Sequence, residues 1–212
     1  MATITVMLVD DHAVVRMGFC LLLRNTPDID VVAEVGSGEE ACRIYADVQP
    51  DVVVMDLAMP GIGGLDALAR ILARDPHAKV LVLSAHEDTI YPTRVLQAGA
   101  TGYLSKRGAP EELIGAIRQV AAGKTFVEAT VAQQMAVQRA SGQRNPIGVL
   151  TAKEFSVFLA LAQGRSVNDI AATMSLSPST VGSHLYNIKQ KLGASNSAEL
   201  ALIAIRHGLI VP

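Results

Sequence analysis

Long apolar runs, cysteine and basic charge are all scarce in this chain, and each scarcity excludes a class of protein. No apolar stretch approaches the roughly 20 residues of a membrane span, so no transmembrane helix is expected. The opening MATITVMLVDD carries no basic n-region and no cleavage site, which makes a cytoplasmic location the expectation. Cys20 and Cys42 lie beside apolar residues in separate helical patterns and form no C-x-x-C pair. Buried thiols are expected there, not a disulfide or metal ligands. The histidines His12, His77, His86, His184 and His207 are scattered without the spacing of a zinc site. Residues 1–125 hold 11 Lys/Arg against 16 Asp/Glu, whereas residues 146–212 hold 5 against 3. The acidic half therefore cannot be a nucleic-acid surface, and the other half is only weakly basic.

What is present is a half-apolar composition over 212 residues, enough for two small domains and too apolar for disorder. Runs rich in Val, Ile and Leu at 4–9, 31–35, 52–55, 80–83 and 102–104 do not alternate with polar residues, as expected of strands buried on both faces. Helix-length segments separate or follow them: the stripe Val15, Phe19, Leu22, then Gly38–Asp47, Gly64–Asp75, Ile90–Ala98 and Pro110–Ala122. A βα unit repeated five times predicts an α/β domain over 1–122 with a five-stranded, doubly wound parallel sheet. Residues 123–146 read as a linker with a short helix, Thr130–Ala140, and a polar run from Ser141 to Pro146.

Residues 147–212 predict an all-α domain of four helices. Thr151 caps Ala152–Gln163, Ser166 and Asp169 form a capping box for a helix to Met174, and Ser177 caps a third with Pro178 at its first position. Asn196 with Glu199 starts the last, which Gly208 ends. The tight turn Ser175-Leu176-Ser177 between short helices is a helix-turn-helix signature. In the third helix Val181, Leu185, Ile188 and Leu192 share one face, and Ser179, Gly182, Ser183, Tyr186 and Gln190 the other.

Polar groups follow the strands: Asp10 and Asp11 after the first, Asp56 after the third, Ser84 after the fourth and Lys106 after the fifth. A parallel sheet gathers its strands' carboxyl ends into one crevice, so these positions converge. Hard carboxylate oxygens suit Mg2+. Asp56 is the expected nucleophile and phosphate acceptor, Asp11 a direct Mg2+ ligand, Asp10 a ligand through water, and the Ala58 carbonyl completes the protein's share. Lys106 and Ser84 would contact the phosphoryl oxygens. His12 reads as a loop residue, and Tyr103 as either an ordinary strand aromatic or a switch. Taken singly, an Asp pair after a strand, a turn Asp and a lone Lys are ordinary surface features; their combination at four strand ends is the signal. With a helix-turn-helix downstream, it implies a DNA-binding regulator switched by phosphorylation.

The segments Leu8-Val-Asp10-Asp11-His12, Asp56-Leu-Ala-Met-Pro60-Gly61, Ser84-Ala85, Ala98-Gly-Ala-Thr-Gly-Tyr103-Leu-Ser-Lys106 and Leu150-Thr-Ala-Lys-Glu154 resemble the NarL/FixJ response regulators. So do Ile170-Ala171, Leu176-Ser-Pro-Ser-Thr-Val181, His184 and Ile188-Lys-Gln-Lys-Leu192. The resemblance spans nearly the whole chain, as a receiver domain plus a LuxR-type helix-turn-helix domain, and is greatest to GacA/UvrY-type regulators. It implies that a sensor histidine kinase phosphorylates Asp56, that Ser84 and Tyr103 relay the change, and that a homodimer then binds double-stranded promoter DNA. The third helix of the terminal domain would enter the major groove.

Three departures bear on this. Arg107 follows Lys106 where many receivers have Pro; Gly182 stands where many relatives have Lys; and Ser197 replaces a frequent Arg. The cations left for phosphate contact are Lys153, Arg165, Lys189 and Lys191, with Ser179, Thr180, Ser183, His184 and Tyr186 on or beside the groove face. Two other functions compete. A phosphatase of the haloacid dehalogenase type also uses an aspartyl nucleophile and Mg2+, but usually has a second Asp two residues on, where this chain has Ala58. A terminal domain that binds protein instead of DNA is the other, suggested by Gly182 and the modest positive charge.

Overall fold

The computed structural model describes residues 3–85, 90–108, 110–140 and 146–210. The chain divides into two compact units, one of residues 1–87 and 95–136, the other of residues 88–94 and 137–212.

Through residue 127 strands and helices alternate: β1 (Ile4–Val9), α1 (Ala13–Arg24), β2 (Ile29–Val35), α2 (Gly38–Val48), β3 (Val52–Asp56), α3 (Gly63–Arg74), β4 (Val80–Ser84), α4 (Ile90–Gln97), β5 (Gly102–Ser105), α5 (Pro110–Ala121) and β6 (Phe126–Val127). All neighbouring strands pair parallel, in the order β2-β1-β3-β4-β5-β6. The order reverses between β1 and β3, and the crevice of such a sheet opens there, beyond the strands' carboxyl ends. Alternate strand residues face opposite ways. Val6, Leu8, Val52, Val54, Leu81, Leu83 and Leu104 pack with Leu23 of α1 and Leu113, Ile117 and Val120 of α5. Met7, Val53, Met55, Val82 and Tyr103, the intervening residues, are equally buried on the other face. Burial on both faces explains the unbroken apolar runs.

The sheet has six strands where the sequence predicts five. Phe126 and Val127, assigned to the linker, pair with Gly102 and Tyr103 of β5. A two-residue strand is too short to show a period. Otherwise the helix ends lie within a residue or two of expectation, and Cys20 and Cys42 are free and buried. No cis peptide occurs among the described residues.

Helix α6 (Ala129–Ala140) occupies the expected linker helix, and the division between the units falls within it, after Ala136. Ser141 to Asn145, in the expected polar run, lie outside the described residues. The second unit continues with a 3-10 turn (Pro146–Val149), α7 (Ala152–Ala162), α8 (Val167–Thr173), α9 (Pro178–Leu192) and α10 (Ser197–Arg206). Each cap anticipated from sequence forms: Thr151, Ser166, Ser177 and Asn196 accept from the backbone N–H three residues on. Val157, Phe158, Ile170, Val181, Ile188, Leu200 and Ala204 are buried. Among the described residues no helix is long and apolar enough to cross a membrane.

Glu154 ties α7 to α9. It is 4% exposed, closes the capping box by accepting from Thr151 N at 2.8 Å, and accepts from Lys191 Nζ at 2.6 Å. Burial raises the Glu154 pKa, but the hydrogen bonds from Lys191 and Thr151 outweigh it, leaving the carboxyl below its ordinary 4.5. A carboxyl depressed in the folded state contributes stability above its unfolded pKa and loses it as pH falls through the folded one. Glu154→Gln is therefore expected to cost about 1–2 kcal/mol at pH 7. The difference from the parent should shrink as pH drops below 4.5. Urea unfolding at several pH values checks this; a difference that stays constant to pH 3 would show that the charge contributes nothing.

Candidate functional site

The polar residues named from sequence meet at the β1/β3 crevice. Asp10 follows β1 and is 4% exposed, Asp56 ends β3 at 1%, and Ser84 ends β4, fully buried. Lys106 reaches back from beyond β5, its Nζ 2.7 Å from both Asp10 Oδ2 and Asp56 Oδ2. Backbone pairing aims it, since Lys106 N donates to Ser84 O at 2.8 Å. Burial lowers the Lys106 pKa, but hydrogen bonds and attraction from Asp10 and Asp56 more than offset this and leave it raised. The ammonium stays charged at neutral pH.

Each acid is also held by backbone. Asp10 Oδ1 accepts from His12 N at 2.8 Å and Asp56 Oδ1 from Ala58 N at 3.1 Å. Asp11 Oδ1 is buried and accepts no hydrogen bond, and the buried Asp56 Oδ2 has only the Lys106 ammonium, at 2.7 Å. Carboxylate oxygens left this way suit a cation, because buried acceptors are nearly always satisfied. One donor atom from each of Asp10, Asp11, His12 and Asp56 lies within 4.8 Å of all the others. Tyr103 is fully buried in β5, paired in register with Val82. Ala58 is exposed, two residues after Asp56, where an acid would be needed for a phosphatase.

Sequence reasoning missed the supports. Glu39 of α2 accepts from Ile62 N at 2.9 Å and pins the loop after Asp56. Arg16 donates to the Asp10 carbonyl. Neither partner pair leaves a local pattern, and His12 lies in the loop after β1, as expected, with its ring beside the acids.

In the second unit α9 presents Ser179, Thr180, Ser183 and Tyr186 to solvent, Tyr186 at 64% exposure, with Gly182 and His184 half-buried. Ser177 and Thr180 share a hydroxyl contact of 2.8 Å, and Ser183 Oγ donates to Ser179 O at 3.1 Å. Lys191, expected among the phosphate-contacting cations, is also paired with Glu154. Lys153 and Lys189 are half-buried and Arg165 is exposed.

Residues 6–118 match the family described as response regulator receiver domain, and residues 148–204 match the luxR family of bacterial regulatory proteins. The chain belongs to the response regulators. It is 39% identical over 209 residues to response regulator GacA of Pseudomonas aeruginosa, covering 98% of each chain. Identity to response regulator UvrY of Escherichia coli is 40% over 208 residues, covering 97% of this chain and 95% of UvrY. RcsB of Salmonella enterica serovar Typhimurium, solved with promoter rprA and the phosphomimetic BeF3-, has the same fold. Its TM-score is 0.73 at 24% identity, over 95% of this chain and 98% of that one. As a two-component response regulator of the LuxR type, the protein regulates transcription and is not a conventional enzyme. Its acidic cluster lies in the receiver domain, a type of domain that typically binds Mg2+ at such a pocket.

Proposed function

We propose that Asp56 takes a phosphoryl group from a sensor histidine kinase, and that the aspartyl phosphate brings two copies of the chain together on promoter DNA. The observation that carries this reading is the buried Asp56 carboxylate, 2.7 Å from Lys106 and beside Asp10 and Asp11. An Asp56 oxygen attacks phosphorus; the bond from phosphorus to the donor's imidazole nitrogen breaks, and that nitrogen keeps the electron pair. Asp11 and Asp56 would hold Mg2+ directly, Asp10 through water, with the Ala58 carbonyl completing the set. When bound, the ion neutralises charge on the transferring oxygens. Lys106 supplies a second positive charge, and the Ser84 hydroxyl donates to a phosphoryl oxygen. Ser84 and Tyr103 then pass the change to the receiver surface.

In the DNA-binding domain α9 enters the major groove with Ser179, Thr180, Gly182, Ser183, His184 and Tyr186 toward the bases, and α10 pairs the subunits. Lys153, Arg165 and Lys189 meet phosphates, while Lys191 acts through its hold on Glu154, placing α9. RcsB, of the same fold, was solved on promoter DNA, which supports this direction of reading.

The test is to phosphorylate the purified protein with acetyl phosphate and Mg2+, measure its self-association by sedimentation, and sequence the genomic fragments it retains. Phosphorylated protein should sediment as a dimer and enrich a defined set of fragments. Equal association constants and equal fragment sets with and without phosphate would reject the reading.

Gly182 gives a second, local prediction. A Cβ built there meets nothing within 4 Å, so a larger residue fits the free protein and gains roughly 1 kcal/mol of helix propensity. Gly182→Lys should raise affinity for unrelated duplexes and steepen the salt dependence by about one counterion per subunit. Wild-type affinity and slope on several duplexes would place this face away from DNA and favour a protein partner.

A further inference from the structure

Lys106 is aimed from two sides, and one support comes from the stretch that the sequence assigns to the linker. On the β4 side its backbone N–H is fixed by Ser84 O. On the other side β5 borders β6, which ends at Val127. Phe126 N donates to Thr101 O at 3.1 Å, and Glu128 N donates to Tyr103 O at 3.2 Å. One further rung of this parallel ladder would take Ser105 N to Glu128 O. That carbonyl instead accepts from Ala132 N at 2.9 Å and opens α6. The Glu128 side chain stands in for it, since Ser105 N donates to Glu128 Oε2 at 2.8 Å. The other carboxylate oxygen accepts from Thr130 Oγ1 at 2.7 Å, in the first turn of α6.

Ser105 is the base of the turn that carries Lys106. Its carbonyl accepts from Gly108 N at 3.1 Å and its hydroxyl from Arg107 N at 3.2 Å, so residues 105–108 close on Ser105 itself. One carboxylate therefore joins the turn bearing the site's lysine to the first turn of the helix that follows the sheet.

We infer that Glu128 is a positioning residue for phosphoryl transfer to Asp56: it holds the turn at 105–108 so that the Lys106 ammonium stays at the acceptor, and it couples that turn to the start of α6. The inference rests on the reading of Asp56 as the acceptor. Lys106 Nζ is 2.7 Å from Asp56, and transfer depends steeply on where that charge sits. Reach matters more than charge at Glu128, because Ser105 N needs an oxygen at the missing rung. Coupling is reciprocal, so loosening the first turn of α6 loosens the lysine turn as well. A carboxylate that only capped α6 would leave the lysine turn unchanged.

The experiment uses the full chain. Labelling from acetyl phosphate is followed against Mg2+ concentration, exchange of the Ser105 amide is followed in unphosphorylated, metal-free protein, and urea unfolding reports folding. Glu128→Ala and Glu128→Asp, the latter one methylene short, should each lower the limiting labelling rate at least about fivefold, leave the half-saturating Mg2+ concentration within about twofold, and speed exchange of the Ser105 amide. Glu128→Gln keeps an oxygen at the same reach and should restore both rate and protection. Thr130→Val removes only a hydroxyl from an exposed residue and should give a smaller change in the same direction. Glu128→Ala labelled at the wild-type rate, or Glu128→Gln as slow as Glu128→Ala, would overturn the role of Glu128 and leave Asp56 standing as the acceptor. A slowed rate with a shifted Mg2+ half-saturation would overturn it too, by placing the defect among the acids. If Glu128→Ala does not fold, Thr130→Val decides, and wild-type labelling and exchange in that variant would overturn the coupling. Wild type that takes no label would overturn the Asp56 reading and this role with it.

Discussion

Protein carrying Asp56→Asn should incorporate no hydroxylamine-labile phosphate from acetyl phosphate and Mg2+, where wild type is labelled. An amide oxygen keeps the shape of the carboxylate but lacks the charge that makes it a nucleophile. Because Asp56 is almost wholly buried and carries the ion pair to Lys106, stability is measured beside the label to separate loss of the acceptor from misfolding. Asp10, Asp11 and Asp56 crowd three acids around one lysine, with donor atoms within 4.8 Å. Like charges at this range oppose one another, and the substitution leaves Lys106 its other partner, Asp10, 2.7 Å away in the wild type. The unfolding free energy of Asp56→Asn from its urea midpoint in metal-free buffer should therefore match or exceed that of wild type, by up to about 1 kcal/mol. Added Mg2+ should then stabilise wild type more than the variant. Undiminished labelling of the variant would move the acceptor elsewhere, and a lowered midpoint would remove the repulsion argument.

Gly64→Ala should cost about 3 kcal/mol or more and disable phosphorylation with it. A Cβ at Gly64 would lie 2.0 Å from the Asp56 carbonyl oxygen and 2.8 Å from Leu57 Cα. Both are backbone atoms, so neither can swing aside as a side chain would. Gly64 N also donates to Leu57 O at 3.2 Å, so the start of α3 and the segment bearing the acceptor must separate together. Alanine gains roughly 1 kcal/mol of helix propensity over glycine, and the overlap outweighs it. The check is chemical unfolding together with the labelling rate; a variant as stable as wild type or more so would show that α3 yields cheaply and that the close approach is unimportant.

The two glycines contrast. Gly182 and Gly64 both sit in helices, and nothing in their neighbours along the chain distinguishes a position with open space from one pressed on another backbone. Only the packing of α3 against the end of β3 decides it. Glu154 and Lys191 are likewise 37 residues apart, and Glu39 reaches Ile62 across 23. In sequence one lysine on an exposed helix end looks like another, and only the fold distinguishes Lys191, paired with a buried acid, from Lys189. The place of the His12 ring is hidden for the same reason, since only the fold brings the loop after β1 beside the end of β3.

Other features were determined by sequence alone because their causes are local or periodic. Thr151, Ser166, Ser177 and Asn196 each bond an N–H three residues away, a reach that survives any tertiary arrangement. Strands buried on both faces must be continuously apolar, which located β1, β3, β4 and β5. A parallel sheet then obliges the residues after those strands to share one crevice, so sequence alone brings Asp10, Asp56, Ser84 and Lys106 together. What the tertiary structure alone decided was whatever depends on contacts between segments with no fixed spacing: the sixth strand, the hold of Glu39 on the acceptor loop, the Glu154 and Lys191 pair, and the imidazole among the acids. Hydrogen bonds within a turn and burial with a period are written in neighbouring residues, whereas the distance between two remote side chains is set only when the core between them packs.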